Sequence, residues 1–205
     1  WAVPEGTPVF PGEPLVTVAG PMIQAQFVET MILLTINHQT LIATKANRIT
    51  RAAEGRTVLE FGSRRAQGYD GAILGARAAY ILVDTYNVLK SGVPNAIRVA
   101  KELEAEKGIR ARGIRLDSGD IAYLSIEARK MLDAAGFEDM QIMASNSLDE
   151  YLVRDLLVQG ARVDSFGIGE RLITSKSEPV FGGVYKLAAV EDENGEIIPK
   201  IKVSE

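Results

Sequence analysis

A pair of adjacent arginines is the first feature of the sequence that could bind an anionic small molecule. Arg64 and Arg65 follow the apolar run 57–61, within the segment FGSRRAQG at 61–68. Arginine forks can form bidentate contacts to phosphate or carboxylate, and the flanking glycines let the backbone turn closely around a ligand. An arginine pair on a solvated loop is the alternative interpretation of these residues alone.

A second cationic group occurs with an acid in the segment RLDSGD at 115–120. Side chains alternate along a strand, so Arg115 and Asp117 should lie on the same side of it. The carboxylate could hold a ribose hydroxyl or Mg²⁺ while the arginine meets an anionic substrate. A structural ion pair beside a helix N-cap would explain the same residues.

Two further short polar or glycine-containing turns follow predicted strands, at 145–147 (SNS) and 167–169 (GIG). Late loops of this kind, with exposed N–H groups beside a helix N-terminus, can cradle a phosphate. A lone Gly-x-Gly is weak evidence, because most such sequences are only turns. Taken together, these four segments indicate an α/β enzyme that handles phosphate, although none of them decides the question by itself.

The elements that would position these residues alternate along the middle of the chain. Short apolar runs predict strands, and segments of helical period with capping signals lie between them. Parallel β-α-β units follow from this alternation, in either an incomplete barrel or an open doubly wound sheet. The predicted strands are 57–61, 82–85, 113–116, 140–144 and 163–166; the predicted helices run from Pro94 to Gly108, from the Asp120 cap to Gly136, and from a capping box at 147–150 to Gly160.

The two ends of the chain differ from this middle part. Residues 1–22 alternate apolar runs with Pro and Gly and predict short strands in a β-rich accessory module. Residues 23–54 predict one long or two abutting helices, and 55–175 form the predicted α/β barrel. Residues 176–205 should return to the β-rich module, with strands at 185–190 and 197–203 that rejoin the opening segment.

Composition limits the classes of function. The 205 residues contain no Cys, a single His at position 38 and a net charge of −4, which excludes disulfides, thiolate metal sites and sites made of several histidines. The charge gives no overall attraction for nucleic acid. No run approaches the roughly 18 apolar residues of a membrane helix, and no signal peptide is evident, so a cytoplasmic protein is expected. A first residue Trp1 suggests part of a longer chain.

Several blocks together resemble the nicotinate phosphoribosyltransferase family in both identity and order. The resemblance implies an incomplete α/β barrel joined to a β-rich domain, and active sites completed across a homodimer interface. It also implies transfer of nicotinate to 5-phosphoribosyl 1-diphosphate with release of diphosphate, Mg²⁺ as cofactor, and ATP hydrolysis as an accelerating partner reaction. The blocks are 61–68, LVDTYN at 82–87, 115–120, Ser145-Asn146 and FGIGERL at 166–172.

The same resemblance implies roles for individual residues. Phe61 should stack on the pyridine ring, and Arg115 should face the nicotinate carboxylate from the other side of the ring. Arg64 and Asp117 are the implied catalytic residues, with Arg64 at the diphosphate and Asp117 at the ribose hydroxyls. The 5-phosphate should be bound by the turns that contain Ser145, Asn146, Gly167 and Gly169. No metal ligand is assigned.

The sequence departs from the family pattern in two places. A Gly-rich stretch and a Gly-Thr-x-x-His-Ser-like segment, whose histidine the family phosphorylates from ATP, should separate Tyr80 from Leu82, where here a predicted helix abuts a predicted strand. A continuous chain needs a few residues for such a connection, so a gap between Ile81 and Leu82 is predicted. The family segment that supplies an aromatic to the partner's site would precede Trp1. His38 is interpreted as a packed or solvated helical histidine.

Two other functions remain compatible with the sequence. A related phosphoribosyltransferase could use nicotinamide or quinolinate, although quinolinate would require more cationic groups and nicotinamide would require none at the ring. A non-catalytic barrel that only binds phosphate would also explain the absent histidine.

Overall fold

The computed structural model of the protein describes residues 1–77, 89 and 92–201. The predicted strand 82–85, the block at 82–87 and the predicted gap between Ile81 and Leu82 lie outside these residues. The chain divides into two compact units, one of Trp1–Thr40 with Val180–Glu205 and the other of Leu41–Pro179. The four-part division predicted from the sequence stays a prediction.

The second unit is built on a parallel sheet of four strands. The strands are β1 (Thr57–Glu60), β2 (Gly113–Leu116), β3 (Gln141–Ala144) and β4 (Ser165–Ile168). Their order in the sheet is β1-β4-β3-β2, with every pair parallel. The α/β class is therefore confirmed. The last strand returns beside the first, as in α/β barrels, and within the described residues the sheet stays open between β1 and β2.

Helices follow these strands along the chain. The described ones are α3 (Tyr69–Arg77), α4 (Val93–Lys107), α5 (Ile121–Ala134), α6 (Glu150–Val158) and α7 (Glu170–Ile173), with a 3₁₀ turn at Ser63–Arg65. Gly108 adopts a left-handed conformation (φ 65°) and ends α4, while the Asp120 carboxylate accepts from the backbone N–H of Tyr123 and begins α5. Both of these capping signals are confirmed.

The predicted capping box at 147–150 is wrong. Asn146 and Ser147 both have positive φ, of 90° and 48°, so the turn continues past them. The helix begins only at Glu150, and its N-cap is Asp149, whose Oδ1 accepts from the N–H groups of Tyr151 and Leu152.

The last parallel strand lies two residues later than predicted. Asp164 precedes the strand and is hydrogen-bonded to β3: its carboxylate accepts from the backbone N–H of Ile142, and its own N–H donates to the Ile142 carbonyl. Strand pairing then runs from Ser165 to Ile168, and all four residues are buried. Gly167, predicted to lie in a turn, is therefore inside β4.

The hydrophobic core of this unit forms two clusters. One contains side chains of α2 (Glu29–Ala52), α5, α6 and β4; the other contains side chains of α4, α5, β2 and β3. Burial on both faces is expected of a parallel sheet covered by helices. The largest fully buried side chains include Phe137, Phe166, Ile49, Leu116 and Leu132.

In its described residues, the first unit contains fewer strands than predicted. Pairing of the opening segment with other described residues is limited to an isolated antiparallel bridge between Ala2 and Val16, because its prolines at 4, 8, 11 and 14 lack the N–H that a strand ladder needs. Residues 185–190 and 197–203 are predicted as longer strands, but the described pairing joins only β5 (Ala189–Glu191) and β6 (Ile197–Pro199). Of the two predicted alternatives, one long helix or two abutting helices, the structure has the second, with α1 (Met22–Phe27) followed by the α2 helix. Across the described residues, no helix combines the length and apolar character needed to cross a membrane.

Candidate active site

The parallel sheet brings the predicted site residues to one edge. Strand register pairs Glu60 with Ile168 and both Leu116 and Phe166 with Ala144. The residues that follow these strands therefore emerge at the same carboxyl-terminal edge, where ligands bind in α/β folds. They are Phe61 after β1, Asp117 after β2, Ser145 after β3 and Gly169 after β4.

Phe61 packs against β4 at a position where only glycine fits. A Cβ placed on Gly167 would lie 2.1 Å from Cε2 of the Phe61 ring, far inside van der Waals contact. The backbone N–H of Phe61 donates to the carbonyl of Ile168 at 2.7 Å, which holds the start of the loop against β4. The absence of a side chain at Gly167 therefore leaves the space that the Phe61 ring occupies.

The Arg115 guanidinium covers the Phe61 ring. Its central carbon lies 4.6 Å from the ring centroid, within the range of a cation–π contact. The two side chains predicted to flank a pyridine ring are therefore brought together, and in this arrangement they touch one another.

Arg115, Asp117 and Ser145 form a closed hydrogen-bonded triangle. The guanidinium donates from Nε to Ser145 Oγ at 2.7 Å and from Nη2 to Asp117 Oδ1 at 2.8 Å. Ser145 Oγ in turn donates to Asp117 Oδ1 at 2.5 Å. The side chain of Arg115 is 15% exposed and that of Asp117 is 40% exposed, so the triangle extends from the interior to the solvent-facing edge.

The two arginines of the loop after β1 have different environments. Arg65 pairs with Glu170 at the start of α7, at 2.5 Å, and Lys176 pairs with the same carboxylate at 3.1 Å. Hydrogen bonding and charge from Lys176, with a further contribution from Arg65, lower the pKa of Glu170. Arg64 is exposed and has no acidic partner within the described parts of the chain.

Glu60 is a residue of this site that the sequence patterns did not single out. Its side chain is fully buried at the end of β1 and accepts from the backbone N–H of Gly62 and, at 2.7 Å, from Ser63 Oγ. Glu60 therefore holds the turn that carries the arginines. The signal was available, because a carboxylate within a strand of a parallel sheet is unusual.

Glycines allow the turns after β1 and β4 to approach each other closely. A Cβ on Gly62 would lie 2.6 Å from the carbonyl oxygen of Gly169. Asn146 is exposed, with a left-handed backbone, in the turn after β3. Gly169 and Asn146 are therefore at the predicted edge; their predicted contact with a 5-phosphate stays a prediction. Within the described residues, no group of three or more Asp, Glu, His or Cys side chains is placed to hold a metal ion.

Comparison with known proteins gives the family. The chain is 42% identical to nicotinate phosphoribosyltransferase of Bacillus subtilis, with all of this chain and 51% of the relative covered. It is 36% identical to a nicotinate phosphoribosyltransferase of Mycobacterium tuberculosis, covering 93% of this chain and 51% of the relative. The chain belongs to the nicotinate phosphoribosyltransferase family. No protein-family profile matches it.

The chain spans about half the length of these family relatives. The alignment with the Bacillus subtilis protein runs over 254 residues, more than the 205 of this chain. That relative therefore carries residues for which this chain has no counterpart within the aligned region. The position of a missing segment between Ile81 and Leu82 stays a prediction.

Solved structures agree with the fold of the family. Human nicotinic acid phosphoribosyltransferase superposes with a TM-score of 0.62 at 23% identity, over 82% of this chain and 54% of that one. Nicotinate-nucleotide pyrophosphorylase of Pyrococcus furiosus gives a TM-score of 0.55 at 22% identity, over 86% of this chain and 62% of that one. At such identities the likeness supports the fold alone.

Proposed function

We propose that the protein transfers a phosphoribosyl group from 5-phosphoribosyl 1-diphosphate to the ring nitrogen of nicotinate, the first step of NAD salvage from nicotinate. A bond forms between the ring nitrogen and the anomeric carbon, while the bond from that carbon to diphosphate breaks. The observation that carries this proposal is the Arg115 guanidinium, held beside the aromatic ring of Phe61 by Asp117 and Ser145. An aromatic platform next to a fixed cation suits an aromatic carboxylate.

The pyridine ring requires a rearrangement at this site. A stacked ring lies about 3.5 Å from the group on each of its faces. The Arg115 guanidinium carbon is only 4.6 Å from the Phe61 ring centroid, so a pyridine ring cannot enter between them. In the proposed complex the guanidinium moves off Phe61 and its cation–π contact is replaced by a contact with the carboxylate. Ring binding is thereby coupled to the hydrogen bonds of Asp117 and Ser145.

Arg64 and Asp117 are the proposed catalytic residues. Arg64, exposed in the turn held by Glu60, would meet the diphosphate and stabilise its charge as it leaves. Asp117 would bind the ribose hydroxyls and so align the anomeric carbon with the ring nitrogen. The turns with Asn146 and Gly169 would hold the 5-phosphate.

Mg²⁺ is the proposed cofactor. It commonly binds through one or two carboxylates together with substrate phosphates and water. Asp117, with 40% of its side chain exposed at this edge, has the chemistry for such a ligand. When bound, the ion would neutralise part of the diphosphate charge.

The remaining proposals rest on the family resemblance. They are acceleration by ATP hydrolysis, a homodimer that completes each active site, and a cytoplasmic location. The only histidine of the sequence, His38, lies in the α2 helix, so phosphorylation from ATP would have to use a histidine that the sequence does not contain.

The test is to incubate the purified protein with Mg²⁺, the phosphoribosyl donor and nicotinate, nicotinamide or quinolinate in turn, with and without ATP, and to follow release of diphosphate. We expect turnover of nicotinate to be well above that of nicotinamide and quinolinate. Preferential turnover of nicotinamide or quinolinate would reassign the substrate. Binding of the donor without any diphosphate release would favour a non-catalytic barrel.

A further inference from the structure

The hydroxyl of Ser145 is hydrogen-bonded to two charged side chains, Arg115 and Asp117. Arginine nitrogens only donate, so Ser145 Oγ must act as the acceptor for Arg115 Nε, 2.7 Å away. Its one proton then goes to Asp117 Oδ1 at 2.5 Å, much closer than its other acceptor, the Leu116 carbonyl at 3.4 Å. The direction of both hydrogen bonds is therefore fixed by the partners.

Burial limits what else Ser145 can contact. The residue is 1% exposed, and its backbone N–H donates to the Leu116 carbonyl at 2.9 Å. A phosphate of a substrate arriving from solvent would have to displace Arg115 or Asp117 to reach this hydroxyl. The neighbouring Asn146, in contrast, is exposed.

We propose that Ser145 is a positioning residue that orients the Arg115 guanidinium for the ring carboxylate, and that it does not bind the 5-phosphate. The inference rests on the proposed function and reassigns the predicted role of Ser145. Fixing Nε against Ser145 sets the plane of the guanidinium, and bidentate recognition of a carboxylate depends on that plane. Ser145 should consequently affect selection of the pyridine substrate rather than affinity for the phosphoribosyl donor.

The test is Ser145→Ala, with steady-state kinetics for both substrates. Loss of the hydrogen bond to Arg115 should raise KM for nicotinate about 3- to 10-fold and reduce the preference for nicotinate over nicotinamide. KM for the donor should stay within about twofold, because Asp117 keeps its hydrogen bond from Arg115 Nη2. In an Arg115→Ala background the same change should have no further effect on nicotinate, because the group being oriented is gone. The matched control is Ser125→Ala, a buried serine whose hydroxyl is hydrogen-bonded, among the described residues, to the Ala122 carbonyl and the Arg162 N–H, and it should leave both KM values unchanged.

A second readout does not depend on turnover. The Nε–H resonance of Arg115, assigned by its loss in Arg115→Ala, should exchange with solvent faster in Ser145→Ala than in the unmodified protein. A higher KM for the donor with an unchanged KM for nicotinate would overturn the proposal, as would equal effects in the presence and absence of Arg115 or an unaltered Nε–H exchange rate. An unmodified protein that turns over no pyridine substrate would instead refute the proposed function, with the resonance still reporting on Ser145.

Discussion

Arg115 is the residue whose replacement should separate nicotinate from its amide. Arg115→Ala removes a charge-assisted contact worth about 1.5 to 3 kcal/mol, so kcat/KM for nicotinate should fall roughly 10- to 150-fold. Nicotinamide has no carboxylate and should lose much less. The fold should survive, because Arg115 belongs to neither hydrophobic cluster of the core. The measurement is kcat/KM for both substrates.

Arg112 provides the control for this prediction. It is an exposed arginine just before β2, at the opposite end of the same strand, and Arg112→Ala should leave both values of kcat/KM unchanged. Equal losses for nicotinate and nicotinamide in Arg115→Ala would show that Arg115 serves the phosphoribosyl donor, and the assignment of the carboxylate contact would be wrong.

Gly167 is predicted to be intolerant of even one added methyl group. In Gly167→Ala the new Cβ would lie 2.1 Å from the Phe61 ring, so the ring must move. Overpacking should lower stability by about 1 to 3 kcal/mol, and the displaced ring should reduce kcat/KM for nicotinate roughly 10- to 100-fold. Thermal unfolding and steady-state kinetics measure the two effects. Gly20→Ala, at a site with no atoms within 4 Å of the added Cβ, should change neither.

At the residue scale, the sequence predicts membership of the site better than it predicts roles. Alternation along a strand places Arg115 and Asp117 on one side, and the structure joins them. The contacts of Ser145 and Gly167 depend on the register of neighbouring strands, which no local pattern encodes. Glu60 was missed although an acidic residue in a parallel strand is unusual, because its contacts with the Gly62 N–H and the Ser63 hydroxyl match no sequence motif.

At the scale of the elements, substitutions at the start of α6 test whether Asp149, rather than Ser147, caps this helix. Asp149→Ala removes the cap on the N–H groups of Tyr151 and Leu152 and the ion pair with Arg171. The free energy of unfolding should fall by about 2 to 3 kcal/mol. Ser147→Ala, at the residue that the sequence had suggested as the cap, should change it by less than about 0.5 kcal/mol. Urea denaturation of both variants measures the difference, and a larger loss in Ser147→Ala would contradict the observed cap.

The elements themselves were largely predictable because each depends on a short period and on its end signals. The α4 and α5 helices follow from Pro94, Gly108 and Asp120. Predictions failed where local chemistry shifts or prevents a strand that the hydrophobic pattern favours. Side-chain hydrogen bonding of Asp164 precedes β4, and prolines in the opening segment lack the N–H groups that a strand ladder needs.

At the scale of the whole molecule, the sequence predicts a parallel sheet but does not predict its order. The position of β4 beside β1 results from contacts between residues more than 100 positions apart, such as Thr57 with Ser165. That pairing brings the loops after β1 and β4 together, and so creates the close approach of Gly62 to Gly169 beside the candidate site.

A buried ion pair provides another long-range contact of the second unit. Lys45 of the α2 helix lies 3.0 and 2.8 Å from the two carboxylate oxygens of Glu150 at the start of α6, and 3.3 Å from Ser177 Oγ. The two charged side chains are only 4% and 9% exposed. Lys45→Met should therefore cost about 3 to 5 kcal/mol, because it leaves a buried carboxylate without its cation.

The double variant Lys45→Met/Glu150→Met separates the two sources of that cost. With both charges removed, no desolvated ion remains, so stability should recover to within about 1 to 2 kcal/mol of the unmodified protein. The comparison variant is Arg48→Met, at a residue on the same helix as Lys45. It breaks the exposed ion pair between Arg48 and Glu178 and should lower stability by less than about 1 kcal/mol. Urea denaturation yields the free energy of unfolding for each variant. If the double variant is as unstable as Lys45→Met, the loss arises from packing of the lysine stem, and an uncompensated charge is not its cause.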